Sequence, residues 1–281
     1  METIQKNVVY AQAAGRELKL NLFHPKGDEK NHTAVLLLHG GAWRFGDIAM
    51  MEQFGLELAR HGFVAVAPEY RLLGEAPWPA QIEDVKSAIR WTRAQAQALD
   101  IHPDRIAVQG FSAGGHLALL AGGTPGLPAF QGAGDHENVS DQVAAVVSFF
   151  PVIALSVEKQ GPGGIPASVL FGESASEAQA VQASPLTYVS AAYPPTFLLH
   201  GTDDTLIPYH DSLQMFEKLQ QKGVAVELHL YPGHTHEFAR LPSMLTSVQS
   251  EIALFLKRMV VDPEKYTQEN LDLNMFAKKN Q

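Results

Sequence analysis

Ser112 lies in Gly110-Phe111-Ser112-Ala113-Gly114, a serine with glycine two residues away on either side. A serine hydroxyl is a poor nucleophile near neutral pH; it needs a base within hydrogen-bond reach, and the base needs a third group to hold it. Downstream, His200-Gly201-Thr202-Asp203-Asp204-Thr205-Leu206-Ile207-Pro208 offers two carboxylates, and Tyr231-Pro232-Gly233-His234-Thr235-His236-Glu237-Phe238 offers two imidazoles. The chain order is serine, acid, histidine. Such a set can transfer an acyl group to serine and then to water. The tetrahedral intermediate of that chemistry carries an oxyanion, which needs N–H donors. The N–H of Ala113, just after the serine, is one, and a second can come from His39-Gly40-Gly41-Ala42-Trp43, whose glycines let the backbone turn its N–H groups inward.

Each piece alone has a plainer meaning. G-x-S-x-G can be a glycine-rich turn, two acids after Gly-Thr are turn formers, and one loop histidine among twelve is unremarkable. The elements around them decide between the two meanings. Arg105-Ile106-Ala107-Val108 has the apolar, β-branched character of a short buried strand, and His116-Leu117-Ala118-Leu119-Leu120-Ala121 is rich in helix formers. A serine between strand and helix is a nucleophile elbow, with the positive end of the helix dipole aimed where negative charge develops. The same strand-end address recurs. Ala34 to Leu38 is an apolar run ending at the His-Gly-Gly loop, Thr196 to Leu199 runs into the acid loop, and Val224 to Leu230 runs into the histidine loop.

The remaining elements fit between these. Residues 6–10 and 17–23 read as a hairpin turning at Ala14-Gly15, residues 48–61 as a helix, and Phe63 to Ala67 as a buried strand. Pro79 opens a helix with one apolar face through Ile82, Val85, Ala88, Ile89 and Trp91. Residues 122–141 are rich in glycine and proline. Val143 to Phe150 is a strand, and residues 154–190 are irregular, with a strand at Ser168-Val169-Leu170-Phe171 and a helix near 175–182. Helices at 209–222 and 243–260 complete the alternation. Strands alternating with helices predict an α/β fold, a mostly parallel central sheet with helices on both faces, and ligands at the carboxyl ends of the strands.

Bulk properties narrow the functional classes. At 281 residues and 46% hydrophobic content, with no repeat or linker, residues 1–261 read as one domain, with 262–281 as a C-terminal extension. The net charge of −9 argues against nucleic acid and anionic membrane as partners. The absence of cysteine excludes disulfides, thiolate metal sites and a cysteine nucleophile. No run approaches transmembrane length and the start has no apolar signal region, so the expectation is a cytoplasmic protein.

On these motifs the chain resembles α/β-hydrolase carboxylesterases of the hormone-sensitive-lipase and feruloyl/acetyl-xylan-esterase type. The resemblance is carried by HGGAW at 39–43, APEYRL at 67–72, WPAQIEDVKSAIRW at 78–91 and HPDRIAVQGFSAGGHLALL at 102–120. It continues with SPLTYVS at 184–190, PPTFLLHGTDDTLIP at 194–208 and YPGHTHEF at 231–238. It implies an α/β-hydrolase fold and a serine hydrolase that cleaves a small-molecule carboxylic ester through an acyl-enzyme, with no metal or other cofactor. It selects Asp204 over Asp203 and His236 over His234 as partners of Ser112, and maps the oxyanion donors onto Gly41, Ala42 and Ala113. An amide or formamide hydrolase is the alternative within enzymes. A non-catalytic small-molecule receptor on the same fold is the alternative outside them.

The chain departs from the resemblance at two places. Glu237 stands where glycine is usual, and is expected to face water, and Phe150-Pro151-Val152-Ile153 lacks an expected acid. A metal site from His229, His234 and His236 lacks paired carboxylates at ligand spacing. Trp43 can line the pocket or serve as scaffold, Arg71 is expected to pair with Glu83 or Asp84, and His39 to organise its loop. The 122–141 and 154–190 segments are expected over the site, leaving a small pocket for short or compact acyl groups. In the extension, Leu271, Met275 and Phe276 fit a short amphipathic helix expected to dock on the body or on a second subunit, as in a homodimer.

Overall fold

The computed structural model describes residues 3–27, 30–132, 136–157 and 165–273. Eight strands form one sheet: β1 Thr3–Ala13, β2 Arg16–His24, β3 Ala34–Leu38, β4 Val64–Pro68, β5 Ile106–Phe111, β6 Ala145–Phe149, β7 Thr196–Gly201 and β8 Val226–Tyr231. Their spatial order is β1-β2-β4-β3-β5-β6-β7-β8. Only β2 runs against the others: it pairs antiparallel with β1 and β4, and the pairings from β4 to β8 are parallel. The β1–β2 hairpin turns at Ala14 and Gly15, both at positive φ, as a tight turn between twisted strands requires.

The parallel strands β3 to β7 are buried on both faces, which is why most of them read as apolar runs, while the edge strand β8 is only half-buried. Along β3, Leu36 and Leu38 join one core with Val66, Val108, Val146 and Leu198, while Val35 and Leu37 join the other with Ala65, Ala107, Val147 and Phe197. Helices α2 (Ala80–Ala94), α3 (Ala113–Gly123) and α4 (His210–Gln221) cover the first core. Helices α1 (Glu52–Arg60) and α5 (Pro242–Leu256) cover the second. This is the α/β-hydrolase architecture, with helices on both faces of a mostly parallel sheet.

The structure corrects the sequence reading in places. Residues 168–171 are one helical turn, not a strand: Leu170 and Phe171 both donate to the Ala167 carbonyl, and Gly172 at φ 77 ends the turn. A serine and three apolar residues fit either period, so the pattern could not decide. The pairing in this segment instead joins Leu155–Ser156 to Ile165–Pro166. Helix α2 begins at Ala80, one residue past Pro79, and β6 is shorter than Val143 to Phe150. After a short π-helical stretch, Lys257–Val261, the chain forms α6, Pro263–Leu273. None of its residues is buried; Leu271 is 52% and Leu273 82% exposed, so no docking on the body is seen there. Met275 and Phe276 lie outside the described residues.

Candidate active site

Ser112 sits between the end of β5 and the first residue of α3, at φ 54 and ψ −116. A non-glycine residue there carries of order 1–3 kcal/mol of strain and persists only when its surroundings over-determine it. The surroundings do so. Ser112 N–H donates to the Phe149 carbonyl on β6 at 2.9 Å, and the Ser112 carbonyl accepts from His116 N–H at 2.9 Å. The two motif glycines allow the close approach: a Cβ on Gly110 would stand 2.0 Å from the Gly114 carbonyl oxygen, and one on Gly114 2.2 Å from that of Leu38.

The histidine loop leaves β8 and the acid loop leaves β7, adjacent strands in parallel register. They are tied by Asp203 N–H donating to the His234 carbonyl at 3.0 Å. That register turns Asp204 inward and leaves Asp203 exposed. His236 Nε2 lies 2.9 Å from Ser112 Oγ, and His236 Nδ1 lies 2.5 Å from Asp204 Oδ2. Asp204 Oδ1 accepts the backbone N–H groups of Leu206 and Ile207 at 2.9 and 3.0 Å. Burial pushes the Asp204 carboxyl up, but hydrogen bonds from His200, His236 and the Ile207 backbone outweigh it and hold it well below the usual carboxylate range. His234 points away, its Nδ1–H donating to the Pro232 carbonyl at 3.0 Å. His229 is engaged by Glu251 at 2.8 Å, so the three histidines of the imagined metal site do not converge.

The His-Gly-Gly loop leaves β3 beside the elbow. Gly41 at φ 120, followed by Ala42 and Trp43 at φ 52 and 59, reverses the chain, and Arg44 and Phe45 N–H both donate to the Gly41 carbonyl. His39 organises the loop. Its Nδ1 lies 2.8 Å from the Gly40 carbonyl, its ring stacks on Tyr70 at 4.4 Å, and Tyr70 O–H donates to the His39 carbonyl at 2.8 Å. Burial lowers its pKa. Ala42 and Ala113 adjoin Ser112 in the wall of one cavity, whereas Gly41 is not part of that wall. As the first residue of α3, Ala113 carries an N–H with no acceptor within its own helix.

The cavity measures about 210 Å³ and opens onto Ser112 and His236. Besides Ala42 and Ala113 its wall is Trp43, Val152, Ile165, Val169, Leu206 and Ile207, so Trp43 is both lining and buried scaffold. The 154–190 segment contributes Ile165 and Val169; the 122–141 segment contributes nothing to this wall among the described residues. Val152 stands in the apolar stretch where an acid was expected. Glu237 is exposed, as expected, and pairs with Arg240 at 3.2 Å. Arg71 pairs with Asp84 at 2.7 Å and reaches Glu83 at 3.5 Å.

The sequence reading missed two buried histidines and one aromatic ring. His116 Nε2–H donates to the Ala183 carbonyl at 2.7 Å, and burial drops its pKa to about 4. His200, the first residue of the acid-loop motif, lies 3.2 Å from Asp204 Oδ2. Phe150 packs on the His236 ring at 4.4 Å. The partners of His116 and Phe150 are remote in sequence, so no local spacing signals them, whereas His200 stands four residues before Asp204 inside the acid-loop motif and enters the sequence reading only as the start of that motif.

Residues 20–219 match the BD-FAE family, described as bifunctional feruloyl/acetyl xylan esterase-like. The chain is 33% identical over 216 residues to a probable carboxylic ester hydrolase, LipM, of Mycobacterium tuberculosis, covering 74% of this chain and 50% of that one. It is 29% identical to an ethyl acetate hydrolase of Pseudomonas putida, covering 87% and 79%. Several curated relatives are longer, and the chain spans about half the length of LipM. Among solved structures it is similar to a truncated carbohydrate esterase from gut microbiota, with TM-score 0.80, 26% identity and coverage of 91% and 96%. It is also similar to Thermogutta terrifontis esterase 2 phosphonylated by sarin, with TM-score 0.79, 27% identity and coverage of 92% and 94%.

Proposed function

The chain belongs to the BD-FAE family of α/β-hydrolases, and from that premise we propose that it is a serine carboxylesterase acting on small esters with short or compact acyl groups. The observation that carries the proposal is the unbroken relay from Ser112 Oγ to His236 at 2.9 Å and from His236 to buried Asp204 at 2.5 Å. His236 takes the serine proton as Ser112 attacks the ester carbonyl, then returns it to the departing alcohol. Water repeats the sequence on the acyl-enzyme, and Asp204 holds the imidazole tautomer and stabilises the imidazolium throughout. Ala113 and the loop at Gly41 and Ala42 supply the N–H groups for the oxyanion.

The cavity supports the acyl preference. At about 210 Å³ it falls below the roughly 300–1,000 Å³ of sites that take drug-sized ligands. Among the described residues its lining side chains are apolar, apart from Ser112, His236 and the Trp43 indole. Compact neutral acyl groups fill such a wall without leaving a buried polar group unpaired.

The test is Ser112→Ala, assayed on an acyl-chain series of chromogenic esters beside a formamide. The expected result is a loss of about 10⁴-fold or more in kcat, with the fold retained and fluorophosphonate labelling abolished. Retention of a tenth of the activity removes Ser112 from the mechanism. A wild-type rate on the formamide above that on every ester replaces the ester assignment.

A further inference from the structure

His200, at the carboxyl end of β7, is wholly buried. Its Nε2 lies 2.9 Å from the Ile207 carbonyl oxygen and 3.2 Å from Asp204 Oδ2. Its Nδ1 lies 2.7 Å from Ser212 Oγ, in the first turn of α4. The carbonyl and the ionised carboxylate have no proton to give, so Nε2 carries the proton and donates, and Nδ1 accepts from the Ser212 hydroxyl. An imidazole with its proton on Nε2 satisfies every partner. Asp204 Oδ2 thus faces two imidazole N–H groups, that of His236 at 2.5 Å and that of His200 at 3.2 Å, the latter shared with the Ile207 carbonyl.

We propose that His200, its ring held in place by Ser212 and the Ile207 carbonyl, is a positioning residue for the proposed reaction: its Nε2–H pins Asp204 Oδ2 against His236 and sets how strongly that carboxylate draws on the imidazole. The proposal rests on the assignment of Ser112, His236 and Asp204 above. A carboxylate oxygen that shares its charge between two donors is a weaker acceptor toward each of them. Removing His200 does two separable things. It frees the carboxylate to rotate, which lowers kcat. It also concentrates the charge on the bond to His236, which favours the imidazolium and raises the pKa of the base.

Other charged groups surround the pair. Asp211, in the same turn as Ser212, is buried, and its carboxyl is pushed up to about 7 by burial and by the Asp204 charge. Asp203 is exposed beside Asp204, His234 is half-buried across the loop, and Glu237 and Arg240 pair with each other beyond His236. Because Asp211 titrates in the working range, the profiles are measured in both the wild-type and the Asp211→Asn backgrounds.

The experiment compares kcat, KM and the pH dependence of kcat/KM on p-nitrophenyl acetate for His200→Leu, His200→Gln and Ser212→Ala. His200→Leu is expected to lose about 10–100-fold in kcat with KM within about twofold. Its acid limb should move up by about half a unit or more, a shift that a merely structural defect would not produce. His200→Gln, which keeps an N–H near Nε2, should recover most of both effects, and Ser212→Ala should fall between. A folded His200→Leu enzyme with an unmoved acid limb overturns the proposal, as does a glutamine variant no better than leucine. If His200→Leu does not fold, a Ser212→Ala enzyme with wild-type kcat and pH profile overturns it instead. Failure of the underlying mechanism reads differently, as activity surviving in Ser112→Ala.

Discussion

Asp203 and Asp204 are neighbours in sequence and opposites in surroundings. Asp203 is exposed and accepts from the Thr202 hydroxyl at 3.1 Å, while Asp204 is buried among His236, His200 and two backbone N–H groups. Asp204→Asn should therefore lose about 10⁴-fold in kcat, because an amide cannot hold the same imidazole tautomer. Asp203→Asn should stay within about threefold. Steady-state kinetics of the pair decide it, and the reverse ranking shifts the loop register by one residue. The loop sequences alone left this register open, since either acid and either histidine satisfy the order serine, acid, histidine. Only the motif resemblance, and then the Asp203 N–H bond to the His234 carbonyl, separates them. Asp211 could not be read at all, because its character comes from burial on α4 and from the Asp204 charge. Its carboxyl, ordinarily near 3.8, is pushed up to about 7, so the folded chain keeps a proton that the unfolded chain releases. Stability on this account falls as pH rises from about 4 to 7 and is flat above. Asp211→Asn should match wild type near pH 4, gain through that window and level off at about 3–6 °C in Tm above pH 7. Thermal melts across pH 4–8 check the sign; a gain that shrinks with rising pH contradicts the assignment.

Strands were legible and cap segments were not, for a physical reason. β3, β4 and β7 are buried on both faces, so sequence pattern and structure say the same thing about them. The elbow was legible for a different reason, since its glycines answer to contacts that allow nothing else. A Cβ on Gly114 would meet two carbonyl oxygens, of Leu38 at 2.2 Å and His39 at 2.4 Å, and both belong to backbone that cannot step aside. Gly114→Ala should lower Tm by about 5 °C or more and cost most of the activity together with it. Melting and kinetics measured on one preparation check that the two losses travel together; a variant with unchanged Tm contradicts the packing. Residues 165–171 carried no comparable signal. Their conformation depends on the partner strand at Leu155–Ser156 and on Arg44, whose guanidinium donates to the Val169 carbonyl at 2.9 Å. This element sets the outer wall of the cavity through Ile165 and Val169. Val169→Phe should accordingly cut activity on butyryl esters by tenfold or more, about 1.4 kcal/mol, while acetyl esters stay within about threefold. Equal losses on both esters would place Val169 outside the acyl wall.

At the scale of the whole molecule, two apolar layers enclose one sheet, and all the chemistry stands at one end of it. Among the described residues no helix is long and apolar enough to cross a membrane. The part that contributes least to this body is α6. Pro263 fits the first turn of a helix, where a missing N–H costs nothing, and Asp262 Oδ1 accepts from Lys265 N–H at 3.4 Å. The sequence pattern places a short helix around Leu271, Met275 and Phe276, whereas the described helix runs from Pro263 to Leu273 and Met275 and Phe276 lie outside the described residues. An amphipathic spacing records that apolar residues share a side, and it does not say what covers that side. Leu271 and Leu273 face solvent and no residue from Pro263 to Leu273 is buried, so the helix removes little apolar surface from water. Removal of everything after Val261 should then leave Tm within about 1–2 °C of the full chain and kcat unchanged, since Val260 and the helices that carry the site are retained. Differential scanning calorimetry at low and high protein concentration, with light scattering on the same samples, separates the remaining outcomes. A drop in Tm that is independent of concentration would mean that the extension packs on its own body after all. A drop that grows with concentration, with mass falling toward one chain on truncation, would assign the exposed leucines to a second copy.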